Sequence, residues 1–314
     1  MTAYIIRRLL QIIPVLVLVL GLVFIIFRMI PGDPALLILG ANPDPDSLAA
    51  LRHKFGHDQP LLVQYFKWLG DVLRGDLGSS RINDQSVTSL ILEKIPVTFE
   101  LAALAMIIGC VIGIPSGIIS ALKHDTWIDI GALAISLFGF SIPNYWLAIL
   151  LMIAFARNLG WLPPAGYTPF NENPAAHIRY LILPAITMGL PIAAEQMRFL
   201  RASMLDVINQ DYIRTAHGKG LSGRAVVVRH TLKNALIPFI TITGLQLGSL
   251  LGGSVVIEQI FSWPGIGWLT YQSISSRDYA TVQGTVLVGA LGFLLMNLLV
   301  DIGYVLIDPR ITAE

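Results

Sequence analysis

Residues 97–122 read VTFELAALAMIIGCVIGIPSGIISAL, and the class of fold follows from this stretch. Its one charged side chain is Glu100, near the beginning of the run. A helix that rises about 1.5 Å per residue crosses the hydrocarbon core of a bilayer in roughly 20 residues. The stretch is long and apolar enough for such a crossing, and it therefore predicts an integral membrane protein.

Five further apolar blocks resemble this one in length. The six predicted spans have the approximate limits 9–30, 97–122, 128–156, 180–200, 235–257 and 282–307. The whole chain is 54% hydrophobic and 13% charged, whereas soluble domains are roughly 25% charged. Proline and glycine break the second, fourth and fifth blocks, which membrane helices tolerate when neighbouring helices satisfy the freed backbone groups. The predicted fold is all-α, with six transmembrane helices.

Lysine and arginine in the connections predict the orientation, because they accumulate in short cytoplasmic loops. With the amino terminus inside, the two short outer connections hold only Arg157, Arg179 and Arg277. The long connection 31–95 is not informative, since long translocated segments do not obey this rule. Both termini are therefore expected in the cytoplasm. The first apolar run lacks a cleavage site of small residues, which indicates a retained span rather than a signal peptide.

Three parts of the chain follow from this topology. Residues 1–30 form a short tail and the first span, and residues 31–95 form an extracytoplasmic segment. Residues 96–310 form the transmembrane core, which contains a cytoplasmic loop at 201–238. The two polar segments are where partners outside the membrane would be met.

Two short helices are predicted in the extracytoplasmic segment. The first covers 47–55, with Asp46 as its cap and Gly56 as its stop. The second follows Pro60 and is amphipathic. Its apolar face consists of Leu62, Phe66, Leu69 and Leu73. This face packs against the rest of the outer surface, forms a docking surface for a substrate-delivery protein, or does both.

The loop between the fourth and fifth spans is long and has the densest positive charge in the chain. Connections above about 15 residues usually have a function. The pattern predicts a helix at 203–217, a turn at 218–223 and a second helix at 224–233. Gly220 is suited to a left-handed stop and Ser222 to a cap. By charge alone, the loop is also consistent with an ordinary basic connection that touches anionic lipid.

Two runs within this loop carry a family resemblance. Residues 211–221, DYIRTAHGKGL, and residues 229–238, RHTLKNALIP, resemble the coupling loop of binding-protein-dependent ABC importer permeases. Thr215-Ala216 stands in the place of the family's Ala-Ala pair, Gly220 in that of its glycine, and Ile237-Pro238 in that of its closing element. His217-Gly218 departs from the small or basic residues that are usual there.

Other stretches resemble one branch of that family, the dipeptide, oligopeptide and nickel transport permeases of the longer type. They are PGDP at 31–34, RGDLG at 74–78, EQIFSWPGIG at 258–267, RDY at 277–279 and DPR at 308–310. Trp268 follows the WPGIG motif at 263–267, where arginine is common in the family. The resemblance extends over nearly the whole chain, with each motif in its expected topological place.

The resemblance implies a permease subunit in a bacterial-type inner membrane that imports di- or oligopeptides, or a solute such as a nickel chelate or glutathione. The implied partners are a second homologous permease, two cytoplasmic ATP-binding subunits, an extracytoplasmic substrate-binding protein and membrane lipid. ATP and Mg would be used by the partner ATPases, with no cofactor bound by this chain. The implied coupling residues are Asp211, Tyr212, Arg214, Thr215, Ala216, Lys219, Gly220, Leu221 and Pro238.

The residues themselves indicate no chemistry within this chain. A Gly-x-x-x-x-Gly-Lys-Ser/Thr phosphate loop is absent from the sequence, as are a His-Glu-x-x-His metal motif and a Gly-x-Ser-x-Gly elbow. His53 and His57 are four residues apart, but Gly56 would break a helix between them. The net charge of +1 gives no field for nucleic acid. We therefore expect no enzyme, no metal site and no nucleic-acid partner.

Polar residues inside the spans are candidates for the translocation pathway, because such residues are costly in lipid. The candidates are Glu195, Gln196, Gln246, Asn297 and Asp301. Glu195 and Arg198 share a helix face and are expected to pair or to lie near the cytoplasmic interface. Interface placement is the alternative for every acidic residue here, including Glu100 and Glu258. Gly244, Gly248, Gly252 and Gly253 would permit close helix contact, within the subunit or against a second permease.

A transporter or channel driven by an ion gradient is the alternative function. It predicts discontinuous helices, inverted repeats and buried acids at the midplane. The two halves of the sequence show no convincing repeat, and the basic loop would have no purpose in such a protein. A membrane-embedded hydrolase lacks a nucleophile with a matching base. The sequence thus favours an importer subunit that is moved by the ATPase of another chain.

Overall fold

The computed structural model describes residues 2–29, 44–54, 58–80, 82, 84–251 and 255–307. Within these residues the regular structure is helical, apart from one isolated bridge between Ser79 and Ser86. The all-α prediction is confirmed for this part of the chain. The motif at 31–34 and the carboxyl-terminal motif at 308–310 lie outside the described residues.

Thirteen α-helical segments, numbered in chain order, make up the described fold. They are α1 Thr2–Met29, α2 Pro45–Lys54, α3 Leu61–Leu73, α4 Val87–Leu122, α5 Trp127–Ser141, α6 Asn144–Leu151, α7 Pro174–Ile208, α8 Asp211–Gly218, α9 Gly223–Ala225, α10 Lys233–Leu251, α11 Val255–Ile260, α12 Ile266–Ser275 and α13 Tyr279–Ile307. Two π-helical segments, Met152–Asn158 and Val226–Leu232, continue α6 and join α9 to α10.

Four helical units are long and apolar enough to cross a membrane, counted within the described residues. They are Val87–Leu122, Pro174–Ile208, Gly223–Leu251 and Tyr279–Val300. The pair formed by Trp127–Ser141 and Asn144–Asn158 meets the same test together, but its halves are bent by 100°. In α1 only Leu10–Ile26 have described side chains, and this part alone is an apolar stretch too short for the test. Four spans, or five with the bent pair, are therefore evident by length and composition.

The helix is broken in the third predicted span, whereas the second and fourth, where proline and glycine interrupt the apolar pattern, are continuous. The fifth is helical to Leu251, and residues 252–254 lie outside the described residues. Ile142 has φ −74° and ψ 125°, and Pro143 caps the following helix from an extended conformation. The residue before a proline is driven out of the α region, which explains this break. In α4, by contrast, Pro115 lies inside a continuous helix, where the Ser116 hydroxyl donates to the Ile112 carbonyl at 2.6 Å.

The second and fourth predicted spans are longer than hydropathy indicates. α4 begins at Val87, ten residues before the predicted start at 97, and α7 covers Pro174–Ile208 rather than 180–200. At the start of α7 the Asn173 side chain accepts a hydrogen bond from Ala176 N at 3.0 Å. Such a cap satisfies one of the unpaired backbone donors at the start of a helix. Hydropathy therefore locates only the most apolar part of each of these helices.

Glycine lets α4 and α7 approach closely along their length. A Cβ on Gly113 would lie 2.9 Å from Gln196 Cβ and 3.0 Å from the Ala193 carbonyl, and a Cβ on Gly117 would lie 3.0 Å from the Met197 carbonyl. Small residues at a spacing of four permit this kind of contact between helices in membranes. The largest buried cluster of hydrophobic side chains surrounds the α4–α7 contact and includes Trp263.

The glycines of the fifth predicted span also pack within the subunit. A Cβ on Gly244 would collide with the Val300 side chain, and one on Gly248 would lie 3.1 Å from the Phe293 ring. Both partners belong to α13, so this part of the glycine pattern is explained by the contact between α10 and α13. Residues 252–254, which contain the last two glycines of the pattern, lie outside the described residues.

The first helix of the segment 31–95 starts slightly earlier than predicted. It covers Pro45–Lys54, and its cap is Asp44, whose carboxylate accepts from Ser47 N at 3.1 Å. Asp46, the predicted cap, lies inside the first turn. His53 pairs with Asp58 at 2.7 Å, while His57 lies outside the described residues.

The second helix of that segment, α3, does not bury its predicted apolar face. Leu62, Phe66 and Leu73 are 72%, 65% and 80% exposed, and Leu69 is half-buried. The contact with α1 is made instead by Tyr65 and Trp68, whose rings lie 5.4 and 5.8 Å from that of Phe24. The predicted apolar face therefore does not pack against the rest of the described chain, and that alternative is wrong.

The glycine contact makes a prediction about stability. Gly113→Ala would place a methyl group against Gln196 and Ala193, and overpacking of this kind costs about 1–3 kcal/mol. Thermal unfolding of the protein in detergent is expected to shift to lower temperature. Gly131→Ala in α5 is the matched control, because its Cβ would meet nothing within 4 Å. It should leave stability unchanged or raise it. An equal response of the two variants would contradict the contact.

Candidate functional site

The loop between α7 and α10 contains a separate short helix rather than the predicted helix at 203–217. α7 continues to Ile208, Gln210 is extended at φ −77° and ψ 147°, and α8 then covers Asp211–Gly218. The second predicted helix, 224–233, is not a free element either. It continues through the π-helical segment into α10 as one unit, Gly223–Leu251. The short helix α8 is thus connected directly to two long helices.

Hydrophobic contacts hold α8 against both neighbours. Ile213 and Ala216 are buried and form a small cluster with Val226, against which Val207 of α7 also packs. Tyr212 accepts a hydrogen bond from Asn234 Nδ2 at 2.9 Å, which ties α8 to the start of α10. Ala216 therefore belongs to the inner face of α8, and among the candidate coupling residues it is a packing residue.

The turn after α8 follows the predicted local chemistry. Gly220 has φ +78°, a left-handed conformation that glycine adopts without steric cost. Gly220 N donates to the His217 carbonyl at 2.9 Å and Leu221 N to the Ala216 carbonyl at 3.4 Å, which is the Schellman pattern. The Ser222 hydroxyl accepts from Ala225 N at 3.4 Å. The predicted stop at Gly220 and the predicted cap at Ser222 are both confirmed.

The outer surface of α8 and its turn is exposed and carries a net positive charge from Arg214 and Lys219, with Asp211 3.9 Å from Arg214. Its exposed members among the candidate residues are Asp211, Tyr212, Arg214, Thr215, Lys219, Gly220 and Leu221. Pro238 is exposed as well, but it lies inside α10, more than one turn beyond the loop. α8 therefore presents a compact basic surface on its exposed side, and apolar packing holds its opposite side in place.

Three of the candidate pathway residues form a hydrogen-bonded chain between α7 and α10. Gln196 Nε2 donates to Gln246 Oε1 at 3.0 Å, and Gln246 Nε2 donates to Glu195 Oε2 at 2.7 Å. Gln196 is fully buried, and its Oε1 has no hydrogen-bond partner among the described residues. We call Glu195, Gln246 and Gln196 the polar chain.

Of the two expectations for Glu195 and Arg198, pairing with each other is wrong, and placement near the cytoplasmic interface stays a prediction. Glu195 accepts from Gln246, whereas the Arg198 guanidinium lies 4.6 Å from the centre of the Phe140 ring. The spacing of three placed both residues on one helix face, but the neighbouring helices offer each a different partner. Asn297 on α13 has a buried Oδ1 without a partner within the described residues. The side chain of Asp301 lies outside the described part of the chain.

An ion pair that sequence reasoning missed joins α5 to α7. Arg201 donates to the two carboxylate oxygens of Asp129 at 2.6 and 2.7 Å, and Ser120 Oγ donates to the same carboxylate at 2.5 Å. Asp129 is buried. An aspartate at the start of an apolar run was a possible signal, but its partner is 72 residues away along the chain.

The motif at 258–267 takes part in a buried network of hydrogen bonds that joins α12 to α4. We call this network the latch. Glu258 accepts from Trp268 N at 2.8 Å and from Thr98 Oγ1 at 3.1 Å, and Thr98 Oγ1 also accepts from Ile266 N at 2.7 Å. These bonds satisfy the first backbone donors of α12. Glu258 is fully buried among these partners, so its carboxylate is not exposed on the surface of the subunit.

Glu100 also has a specific partner. Its carboxylate lies 2.5 Å from Nε2 of the buried His177 near the start of α7, and Nδ1 of the same histidine contacts the Thr168 carbonyl at 2.7 Å. The rings of Tyr167, Phe170 and Trp263 surround this histidine. Glu100 therefore connects α4 to α7 beside the latch.

Residues 113–313 match the family described as the binding-protein-dependent transport system inner membrane component. Residues 1–102 match the amino-terminal region of membrane components of such systems. The chain belongs to this family. Its relatives place it among the ABC importer permeases for peptides, as the resemblance of its motifs predicted.

The relatives match over their full length. A protein of Brucella suis biovar 1, named as a peptide transport system permease, is 44% identical over 311 residues, which cover 99% of each chain. The glutathione transport system permease GsiC of Salmonella paratyphi A is 41% identical, again over 99% of each chain. The dipeptide transport system permease DppB of Alkalihalophilus pseudofirmus is also 41% identical, with the same coverage.

A solved structure shares the fold at low sequence identity. A chain of the inward-facing MetNI methionine ABC transporter superposes with a TM-score of 0.57 at 18% identity. The match covers 70% of this chain and 96% of that one. The common architecture is therefore a helical permease fold, to which this chain adds further residues.

The packing behind α8 makes a prediction that can be tested on the isolated protein. Ile213→Ala would remove buried contacts with Val226, so amide hydrogen exchange in residues 211–218 is expected to accelerate. Arg214→Ala is the matched control, because the Arg214 side chain is 86% exposed. If exchange in the control accelerated equally, α8 would not depend on the cluster for its position.

Proposed function

We propose that this chain forms one half of a translocation pathway for di- or oligopeptides, or for a related solute such as glutathione, which opens by ATP-driven alternating access. In this proposal six spans cross a bacterial inner membrane, with both termini in the cytoplasm. A second permease completes the pathway, two cytoplasmic ATPases supply the energy, and an extracytoplasmic protein delivers the substrate. Membership of the importer family supports this assembly.

The observation that carries the proposal is the attachment of α8. This helix packs on Val207 of α7 and on Val226, and it is bonded through Tyr212 to Asn234 at the start of α10. A displacement of α8 would therefore be passed to two spans at once, as a rigid-body movement. The exposed basic surface of α8 is the part of the loop that an ATPase would contact.

The polar chain joins α7 to α10, the two helices that such a movement would displace. Gln196 and Glu195 belong to α7 and Gln246 to α10, so separation of the two helices would break the bonds of 3.0 and 2.7 Å. The freed amide and carboxylate groups would then be available to the backbone groups of a peptide. Buried polar groups require a partner, and the substrate would supply one during passage.

The alternative of an ion-driven transporter has one observation in its favour, the 100° bend between α5 and α6. Discontinuous helices are typical of such transporters. Uptake should be measured in proteoliposomes that contain this chain alone, with an ion gradient and without ATP. Uptake under these conditions would support the alternative, whereas uptake that requires the ATPase subunits and ATP supports the importer.

Gly220→Val tests the coupling role of the loop. A β-branched residue at φ +78° distorts the turn, at a cost of about 1–2 kcal/mol or more. Membrane insertion should be unchanged, while ATP-dependent uptake in the complete transporter should fall by about tenfold or more, since ~1.4 kcal/mol corresponds to tenfold. Gly218→Val is the matched control, because Gly218 ends α8 without a positive φ and with nothing near its Cβ position. Wild-type uptake in Gly220→Val would exclude the coupling role.

Gln246→Leu tests the pathway role of the polar chain. The variant removes both bonds between α7 and α10, and we expect less substrate transported per ATP hydrolysed. Thr243→Val on the same helix is the control, since the Thr243 hydroxyl bonds only to the Phe239 carbonyl of its own helix in the described contacts. Unchanged transport stoichiometry and selectivity in Gln246→Leu would place the pathway elsewhere.

A further inference from the structure

The amphipathic helix α3 is attached to α1 by aromatic side chains. Tyr65 and Trp68 both contact the Phe24 ring, and Tyr65 Oη donates to the Val17 carbonyl at 3.3 Å. A Cβ on Gly21 would lie 3.9 Å from the same hydroxyl. Tyr65 therefore lies along two turns of α1, from Phe24 back to Val17.

This contact sets the depth of α3. The predicted apolar run of α1 covers 9–30, so Val17 is near its middle and Phe24 lies about two turns before its end. The seven residues from Val17 to Phe24 rise about 11 Å, roughly a third of the thickness of the hydrocarbon core. A helix whose tyrosine reaches Val17 lies beside the apolar stretch of α1, and not beyond its end.

The polar and apolar side chains of α3 lie on separate faces, as in a helix at a membrane interface. At about 100° per residue, the Tyr65–Trp68 side faces α1, and Leu62, Phe66 and Leu73 lie together on the next side. Gln64, Lys67 and Asp71 occupy the side away from that apolar face. α1 exposes apolar side chains over the same depth, among them Leu18, Leu22 and Ile26.

We propose that α3 is embedded in the outer leaflet, where Leu62, Phe66 and Leu73 contact lipid acyl chains rather than water or a protein. At 13 residues, about 20 Å, the helix is too short to cross the bilayer and suits the interface plane. The occupant is lipid because the depth of the Tyr65 contact places this face beside hydrocarbon. The inference rests on the proposed six-span arrangement, in which α1 crosses the membrane.

Site-directed labelling of the complete transporter in proteoliposomes tests this position. Cys110 is the single cysteine, so Cys110→Ala gives a background for one new thiol at a time. Lys67→Cys, on the polar side and exposed, should react rapidly with a water-soluble maleimide. Phe66→Cys and Leu62→Cys should react at least about tenfold more slowly, since the thiolate forms in water. A nitroxide at 66 should collide more with oxygen than with a nickel chelate, and one at 67 should show the reverse.

Three results would overturn the proposal. Equal reaction rates at 66, 62 and 67 would show that the face meets water. Protection of 66 that arises only when the substrate-binding protein is added would show that the face is a protein docking surface. The third result is rapid labelling of Leu18→Cys in α1, which would show that α1 is not a span. Slow labelling at 18 together with rapid labelling at 66 would leave the six-span arrangement intact and exclude only the embedded helix.

Discussion

The close packing of α4 against α7 is the contact on which the other parts of the structure depend. Gly113 and Gly117 allow the backbones to approach until side chains of α7 lie against the α4 surface. In hydrocarbon there is no hydrophobic driving force between helices, so association relies on this kind of van der Waals contact. α7 is thereby held in position to bond to its other neighbours.

Each attachment of α7 has a different chemistry, and the difference has consequences for movement. The pair of Arg201 with the buried Asp129 is bidentate, so breaking it would leave an uncompensated buried carboxylate. Of the two bonds that the polar chain makes between α7 and α10, one joins two neutral amides and the other joins an amide to the Glu195 carboxylate, so neither joins two charged groups. The cluster around Ile213 is apolar and small. A permease that must move α10 relative to α7 can do so most easily at the polar chain.

Nearer the start of α4, the latch around Glu258 gives a fixed connection between α12 and α4. A buried carboxylate that accepts from Trp268 N and Thr98 joins the start of α12 to α4, and Trp263 Nε1 donates to the Val97 carbonyl at 3.0 Å. Sequence reasoning treated Glu258 as a residue of the pathway or the interface, because an acid near the end of a span is usually one or the other. Along the chain, its partner Thr98 is 160 residues away and its partner Trp268 is ten residues away. Neither separation in sequence predicts a hydrogen bond.

The sequence by itself determined the membrane class, the family, the position of the loop and the local chemistry at Gly220 and Ser222. Hydropathy, motif spacing and turn preferences are properties of neighbouring residues, so they can be read without a fold. The tertiary structure alone decided that α8 is separate from α7, that Glu195 bonds to Gln246 rather than Arg198, and that the apolar face of α3 is exposed. These outcomes depend on which distant helices approach each other, and a helical period specifies a face without specifying what lies opposite it.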